Sequence, residues 1–293
     1  MIRRFRLPAA MLTVLWAAGC ATVSLDPPTC PTEASVDELV AKYRARQPAP
    51  NPPASMTADG AACGRDKFTA RLAADSGRVV GYKAALTNSA LQKRFDYSAP
   101  VRGTLFETMI VRDGAVVPAQ FGTRPLYEAD LVVAVRSSEI HNARTPLEVL
   151  QQVSAIHPFI ELPDLVLEDP SKINGPALIY VNAGARMGVL GDAIPVRSAD
   201  PAMVNALRNM TVRLLDGNGK ELDSGKGSAI LDHPLNAVVW LAADLKRSGI
   251  TLKPGDLLSL GSFSRLHPPK PGAAAKVVYE GLPGNPGVSV RFR

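Results

Sequence analysis

Short apolar runs separated by glycine and proline dominate the chain from residue 77 onward. The run LYEADLVVAV at 126–135 is rich in β-branched and apolar residues, which is typical of a strand. The sequence DGNG at 216–219 stands between two such runs and predicts a hairpin. Residues 77–293 are therefore predicted to be mainly β, with further strands in the runs at 78–86, 103–111, 114–121, 177–190, 256–263 and 274–292.

Helical patterns occupy the N-terminal part and two later positions. Ser35 and Glu38 have the spacing of a capping box, which predicts a helix from about 35 to 47. The proline-rich residues 48–55 end that helix, and a second pattern covers about 60–74 before Gly77. The later helices are predicted at about 146–155 and 234–248.

The 234–248 helix has its own start and stop signals. Asp232 or His233 stands near its N-cap, Pro234 in its first turn and Gly249 at its end. We interpret His233 chiefly as a capping and packing residue. The chain is thus an α+β, mainly β protein, with one large domain at 77–293 and a helical portion at 35–76.

The first residues have the pattern of an export signal. Three arginines precede an apolar run at 7–18, which is too short for a comfortable membrane span and ends in Ala-Ala-Gly before Cys20. Residues 1–19 resemble a bacterial lipoprotein signal peptide, with Cys20 lipidated and residues 20–34 as a tether. Ala21 favours the outer membrane by resemblance to the sorting rule. The alternative is an ordinary secretory signal, and both interpretations predict an exported, periplasmic protein.

Charge and cysteine content agree with this interpretation. The three arginines of the signal account for half of the formal net charge of +6, and no basic patch with interleaved aromatic residues is visible. We therefore expect no nucleic-acid partner. Cys30 and Cys63 remain after Cys20, and an even pair in an oxidising compartment predicts one disulfide. Two separate thiols are the alternative.

Three carboxylates are the strongest candidates for chemistry. Glu128 and Asp130 lie two residues apart in a predicted strand, so their side chains share a face. Glu161 ends the segment HPFIE. Like charges that are buried together repel, and a hard cation such as Mg²⁺, Mn²⁺ or Ca²⁺ relieves that repulsion through oxygen ligands. A solvated strand face is the alternative for the Glu-x-Asp pair alone.

Several motifs occur in an order that resembles the fumarylacetoacetate hydrolase superfamily. Within it, the resemblance is nearest to 2-keto-4-pentenoate hydratases and related 2-oxo-dienoate hydratases and decarboxylases. It implies a mixed β-roll of the fumarylacetoacetase C-terminal type with N-terminal helices, and a homodimer. The segments that carry it are GYKAALT (81–87), RGTLFE (102–107), YEADLVVAV (127–135), HPFIELPD (157–164), SGKGSAILDHPLNAVVWLA (224–242) and DLLSLGS (256–262).

The resemblance also implies a set of site residues. A divalent cation, Mg²⁺ or Mn²⁺, would be held by Glu128, Asp130 and Glu161, where Asp130 replaces a glutamate of the family pattern. Lys83 would supply positive charge or relay a proton beside an enolate-like charge, and Glu161 is the other predicted catalytic residue. Lys83 alternates with apolar positions on its strand, so we expect it to point inward; a surface lysine is the alternative. The predicted substrate-binding residues are Thr87, Arg124, Lys226 and Gly261.

Two departures from the family pattern leave the function open. Val181 stands where the hydratases have an aspartate, although Asn182 is retained, and Leu260 replaces a threonine. Our leading hypothesis is a metal-dependent lyase acting on a small 2-oxo acid. One alternative is a C–C bond hydrolase of the superfamily, in which His157 or Glu161 would activate water. The other is a non-catalytic envelope lipoprotein that binds a ligand or partner.

Overall fold

The structure, a computed structural model, describes residues 29–293 together with residue 2. Apart from residue 2, the predicted signal segment lies outside the described residues, as do Cys20 and most of the predicted tether. In the described part of the chain, no helix combines the length and apolar character that a membrane span requires.

Most strands lie within the predicted β-runs, and their pairing is mostly antiparallel. The parallel pairs are β1–β11, β3–β7 and β4–β13. In chain order the strands are β1 (Val79–Ala85), β2 (Val101–Phe106), β3 (Ile110–Arg112), β4 (Ala115–Val117), β5 (Glu128–Val135), β6 (Val153–Leu162), β7 (Met187–Leu190), β8 (Ile194–Pro195), β9 (Thr211–Asp216), β10 (Glu221–Lys226), β11 (Leu257–Ser259), β12 (Ala274–Glu280) and β13 (Gly287–Phe292).

These strands form two sheets. The larger has the order β2-β1-β11-β5-β6-β7-β3, with β8 paired to β6, and the smaller has the order β10-β9-β12-β13-β4. Strands β12 and β13 pack on β6, so the two sheets face each other across an apolar core. Every residue of β5 is buried in this arrangement, which explains its almost continuous apolar sequence. The mainly β fold expected from the sequence is therefore the observed one.

The helices cover the sheets through amphipathic faces. Helix α7 buries Leu235, Val238, Leu241 and Leu245, which recur at helical spacing, in the same core as the sheets. Helices α1, α2 and α5 form a second core with β1 and β2. The helices are α1 (Glu33–Ala45), α2 (Ala58–Ser76), α3 (Ser89–Arg94), α4 (Pro146–Gln151), α5 (Gly175–Tyr180), α6 (Pro201–Asn209) and α7 (Pro234–Arg247).

Three local predictions are corrected. Helix α1 is capped by Thr32, whose side chain accepts from the Ser35 N–H, so Ser35 lies inside the helix rather than at its cap. Helix α4 ends before the predicted residue 155, because Val153 already belongs to β6. The run 177–190 is not one strand, since its first residues belong to α5 and only its end forms β7.

A disulfide fixes the N-terminal end of the described chain. Cys30 and Cys63 are bonded, with their Cα atoms 5.6 Å apart. The bond joins the last residues of the predicted tether to α2, where the hydroxyls of Thr29 and Thr57 also lie 2.6 Å apart. The residues immediately before α1 are therefore part of the folded body.

Candidate functional site

Strand pairing brings two of the three predicted carboxylates face to face. In the antiparallel β5–β6 pair, Glu128 lies directly opposite Glu161. Both side chains are buried, and they contact each other through their carboxyl groups. Directly opposed residues share one face of a sheet, so the register alone forces two acidic groups into one small volume.

Lys83 enters the same volume from β1. Its side chain is 3% exposed, and its ammonium donates hydrogen bonds to Oε1 of Glu161 and to the Ala183 carbonyl at 3.1 Å. The inward orientation expected from the alternation on β1 is the one observed. A buried ammonium needs such partners, because desolvation of an unpaired charge is expensive.

Asp130 is turned away from this pair. Strand β5 lies between β6 and β11, and the Asp130 carboxylate reaches toward the β11 side while Glu128 meets β6. Its Oδ2 accepts from the Ser259 hydroxyl at 2.5 Å, and its Oδ1 accepts from the backbone N–H groups of Leu131 at 2.5 Å, Gly261 at 2.9 Å and Leu260 at 3.2 Å.

The three predicted carboxylates therefore do not form one cluster in the structure, because Asp130 has partners of its own. Three donors bond to Oδ1 of Asp130 and one bonds to Oδ2, and the residue is fully buried. Among the residues the structure describes, no group of three or more His, Cys, Asp or Glu side chains is placed to hold one metal ion. The sequence places Glu128 and Asp130 on one strand face, but in the folded sheet Ser259, Leu260 and Gly261 donate to the Asp130 carboxylate.

The acidic groups resist ionisation in this environment. Burial, together with the negative charge of Glu161, raises the pKa of Glu128 well above its ordinary value. Burial and the same charge raise the pKa of Asp130 to about 7, while the Ser259 hydrogen bond acts in the opposite direction. Lys83 alone does not offset this negative charge, so the site favours a further cation.

A hard divalent cation fits two of the predicted ligands. Lys83 donates to Oε1 of Glu161 alone among the oxygens of the acidic pair, and Glu128 makes its contact with the Glu161 carboxyl group. Carboxylate oxygens therefore remain available on both glutamates. Mg²⁺ is commonly held by one or two carboxylates together with water and substrate oxygens, so two glutamates suffice for such an ion.

Thr87 and Gly261 meet beside the Asp130 carboxylate. The Thr87 hydroxyl is fully buried and lacks a hydrogen-bond partner among the described residues. Gly261 has a φ of +106°, and a Cβ at this position would lie 2.1 Å from Thr87 Oγ1. An unpaired buried hydroxyl is costly, so it marks a place where a ligand or water completes the hydrogen bonding.

Two predicted substrate-binding residues have other partners. The Arg124 guanidinium donates to the carbonyls of Leu165 at 3.1 Å and Leu167 at 2.7 Å, so it fastens the chain after β6. Lys226 is exposed on β10 and donates to the Thr211 hydroxyl at 2.8 Å. Neither contact involves the acidic pair, and the assignment of these two residues to substrate binding stays a prediction.

Sequence reasoning missed two residues that position Lys83. Asn182 is fully buried, accepts from the Thr104 N–H at 2.7 Å and donates to the Thr104 carbonyl at 2.9 Å. This pairing fixes the turn that presents the Ala183 carbonyl to Lys83. A Cβ on Gly103 would lie 2.9 Å from Cγ of Lys83, so Gly103 leaves room for the lysine. The motif RGTLFE contains Gly103, but the sequence around it does not show that the Lys83 side chain packs against it.

The structure also shows the surroundings of the two residues that depart from the family pattern and of the two candidate histidines. Val181 and Leu260 are both buried in the apolar cores. His157 Nδ1 lies 3.0 Å from the Gly191 carbonyl. His233 caps α7, with its Nδ1 accepting from the Leu235 N–H at 3.0 Å.

Comparison with known proteins gives relatives along most of the chain, although no family model matches it. The chain is 31% identical to the 2-keto-4-pentenoate hydratase of Paraburkholderia xenovorans (strain LB400) over 196 residues, which is 67% of this chain and 70% of the relative. It is 28% identical to the 4-oxalocrotonate decarboxylase of Pseudomonas putida over 215 residues, covering 73% and 78% of the two chains.

Solved structures give the same fold. The 4-oxalocrotonate decarboxylase from Pseudomonas putida G7, complexed with magnesium and adipate, superposes with a TM-score of 0.76 at 24% identity. Its complex with calcium and acetate gives a TM-score of 0.73 at 25% identity. Each alignment covers 89% of this chain and 96% of the other. A putative fumarylacetoacetate hydrolase family protein from Yersinia pestis CO92 shares the fold at a TM-score of 0.52 and 15% identity, with 75% of this chain and 95% of the other covered. From the sequence identity, this chain belongs to the 2-keto-4-pentenoate hydratase family.

Proposed function

We propose that the protein is a lyase that adds water to a 2-oxo acid carrying a conjugated or adjacent double bond, with 2-keto-4-pentenoate as the representative substrate. The observation that carries the proposal is the buried Glu128–Glu161 pair with Lys83 against it. The named relatives, which are hydratases and a decarboxylase, support a lyase-type enzyme.

The proposed cofactor is Mg²⁺ or Mn²⁺, held by Glu128 and Glu161. Support comes from the available oxygens of the two glutamates and from the relative whose structure contains calcium and acetate at 25% identity. When bound, such a cation acts as a Lewis acid toward the carboxylate and 2-oxo oxygens of the substrate.

The residues of the chain then have separate tasks. Lys83 holds a positive charge where the substrate becomes more anionic, and its contact with Glu161 offers a route for one proton. The Thr87 hydroxyl supplies a hydrogen bond to a substrate oxygen. Lys83 and Glu161 are each only 3% exposed, so water screens their electrostatic interactions weakly.

One decisive experiment is turnover by the purified protein before and after removal of divalent metal. We expect loss of 2-keto-4-pentenoate with formation of its hydrated product in Mg²⁺ or Mn²⁺, and no turnover after chelation. Release of CO₂ from a 2-oxo dicarboxylic acid would favour the decarboxylase reaction instead. Cleavage of a carbon–carbon bond by water would indicate the hydrolase. Thermal stabilisation by 2-oxo acids without turnover would indicate a binding protein.

We also propose that the mature protein is an exported lipoprotein, anchored through Cys20 to the periplasmic face of the outer membrane. The signal-like residues 1–19 and the Cys30–Cys63 disulfide support export, because disulfides persist in oxidising compartments. A homodimer remains part of the proposal through the family resemblance, and light scattering of the purified protein tests it.

A further inference from the structure

Asp130 holds together the segment that follows β11. The chain from Ser259 to Gly261 leaves β11 and presents one hydroxyl and two backbone N–H groups to a single carboxylate. The Asp130 carbonyl is engaged as well, since it accepts from the buried hydroxyl of Tyr279 on β12. The carboxylate and the backbone carbonyl of Asp130 thus each accept a hydrogen bond from another strand.

This segment in turn shapes the space around Thr87. Gly261 donates to Asp130 at 2.9 Å with a positive φ, and its Cα side faces the unpaired Thr87 hydroxyl. The Thr87 carbonyl accepts from the Leu231 N–H at 3.0 Å, so the Thr87 backbone is also fixed. A shift of Gly261 would therefore change the space available to whatever binds the Thr87 hydroxyl.

Building on the proposed function, we propose that Asp130 is a positioning residue for the Thr87 subsite and is not a ligand of the divalent cation. The length of the side chain supports this assignment. A glutamate here would carry its carboxylate about 1.5 Å further, by one carbon–carbon bond, and could not keep the same contacts without a shift of the strand. Glu128 and Glu161 then hold the cation alone, and Asp130 acts on the substrate through Gly261 and Thr87.

Metal affinity separates a ligand from a positioning residue. We would measure Mn²⁺ binding to metal-free protein by calorimetry, comparing Asp130→Asn with Glu128→Gln as a matched carboxylate-to-amide change on the same strand. We expect Glu128→Gln to weaken binding more than about 100-fold and Asp130→Asn less than about 10-fold, the low end for residues that only support ligands. Equal losses in the two variants would overturn the proposal.

Two further readouts test positioning directly. Asp130→Asn and Thr87→Val should each raise KM for 2-keto-4-pentenoate more than they lower kcat, and their effects should not add in the double variant. Asp130→Ala should speed amide hydrogen exchange at Leu260 and Gly261 in the metal-free protein. Unchanged exchange at these amides, or fully additive KM effects, would contradict the role.

Different results would overturn the positioning role of Asp130 and the proposed function. A wild type that neither binds Mn²⁺ nor turns over 2-oxo acids would overturn the proposed function. Amide exchange at Leu260 and Gly261 would still decide whether Asp130 organises this segment. A wild type that binds Mn²⁺ normally while Asp130→Asn does not would overturn only the assignment of Asp130.

Discussion

Lys83 and Glu161 form an ion pair inside the protein, with each side chain only 3% exposed. They come from β1 and β6, which are separated in the sheet by β11 and β5, so the lysine must reach across two strands to meet the glutamate. Breaking a buried pair by removing one partner leaves an uncompensated charge. Replacing Lys83 would leave the Glu161 carboxylate without its partner. We therefore expect such a substitution to lower both the activity and the stability of the protein.

The first prediction is that Lys83→Met removes activity by a factor on the order of 10²–10⁴, the usual range for a positioned acid–base group. Lys83→Arg is the matched control, because it keeps the charge but not the compact ammonium that fits between Glu161 and Ala183. Steady-state kinetics with 2-keto-4-pentenoate in saturating Mg²⁺ would measure both. Wild-type kcat in Lys83→Met would exclude Lys83 from the reaction.

The second prediction concerns Gly103. In Gly103→Ala the added methyl would lie 2.6 Å from the Asn182 carbonyl and 2.9 Å from Cγ of Lys83, so the lysine must move. We expect a fall in kcat of about tenfold or more, as small displacements of catalytic groups are costly. Gly217→Ala is the control, since its nearest neighbour would be Ala274 Cβ at 3.2 Å in the smaller sheet. Equal kcat values in the two variants would show that Gly103 does not position Lys83.

Features that depend on neighbouring residues can be predicted from this sequence, whereas contacts between residues distant in the chain cannot. The β5 strand and the 216–219 hairpin follow from local patterns, and both are observed where the patterns place them. The pairing of Glu128 with Glu161 does not, because strand register is set by partners distant in the chain. The alternation of positions along β1 predicts that Lys83 points inward. It does not predict that Lys83 binds the Ala183 carbonyl, which lies 100 residues later.

The wrong predictions have the same origin. Asp130 follows Glu128 on one face of β5. Only the folded sheet shows that Ser259 and Gly261 donate hydrogen bonds to the Asp130 carboxylate. The run 177–190 is short and apolar, and such runs do not distinguish a buried helix from a strand by periodicity. Arg124 stays a predicted substrate-binding residue, and its contacts with the Leu165 and Leu167 carbonyls are ones that the sequence does not show.

The third prediction is a pH dependence from His233. Its Nδ1 accepts from the Leu235 N–H, and its Nε2 lies 3.0 Å from the Val204 carbonyl, so the neutral ring suits both contacts. Burial lowers the pKa of His233 in the folded protein, whereas the unfolded chain protonates near its ordinary value of about 6.5. The stability that the neutral cap contributes is present above that pH and is lost as pH falls through the folded pKa.

We expect the free energy of unfolding of His233→Asn, whose N-cap side chain does not titrate, to fall less than that of the wild type as the pH is lowered. The measurement is the free energy of unfolding in guanidinium chloride between pH 5 and 8, with saturating Mg²⁺. Comparing variant with wild type cancels the titration of the site carboxylates. Parallel curves for the two proteins over this range would contradict the prediction.

The fourth prediction concerns the disulfide. Cys30 and Cys63 are 33 residues apart in the sequence, and closing a loop of this size limits the unfolded chain. Replacing both by serine should lower the free energy of unfolding by roughly 3–4 kcal/mol in the chain-entropy model. Wild type under reducing conditions is the matched control and should approach the double variant. Thiol titration of denatured, unreduced protein that finds either cysteine free would contradict the bond.

The last prediction tests export and anchoring through Cys20, which lies outside the described residues. A lipid on the first mature residue would hold a protein whose described helices cannot span a membrane. A single acyl chain binds membranes only marginally, so stable anchoring needs the several chains of a lipoprotein. Cys20→Ala should therefore move the protein out of the membrane fraction, either as a soluble form or as an unprocessed precursor. Ala21→Ser is the control, because it changes the neighbouring residue and leaves Cys20 and the disulfide in place, and it should stay with the membrane. A wild type found at full length in the cytoplasm would refute the signal peptide, and the proposed lyase would then act inside the cell.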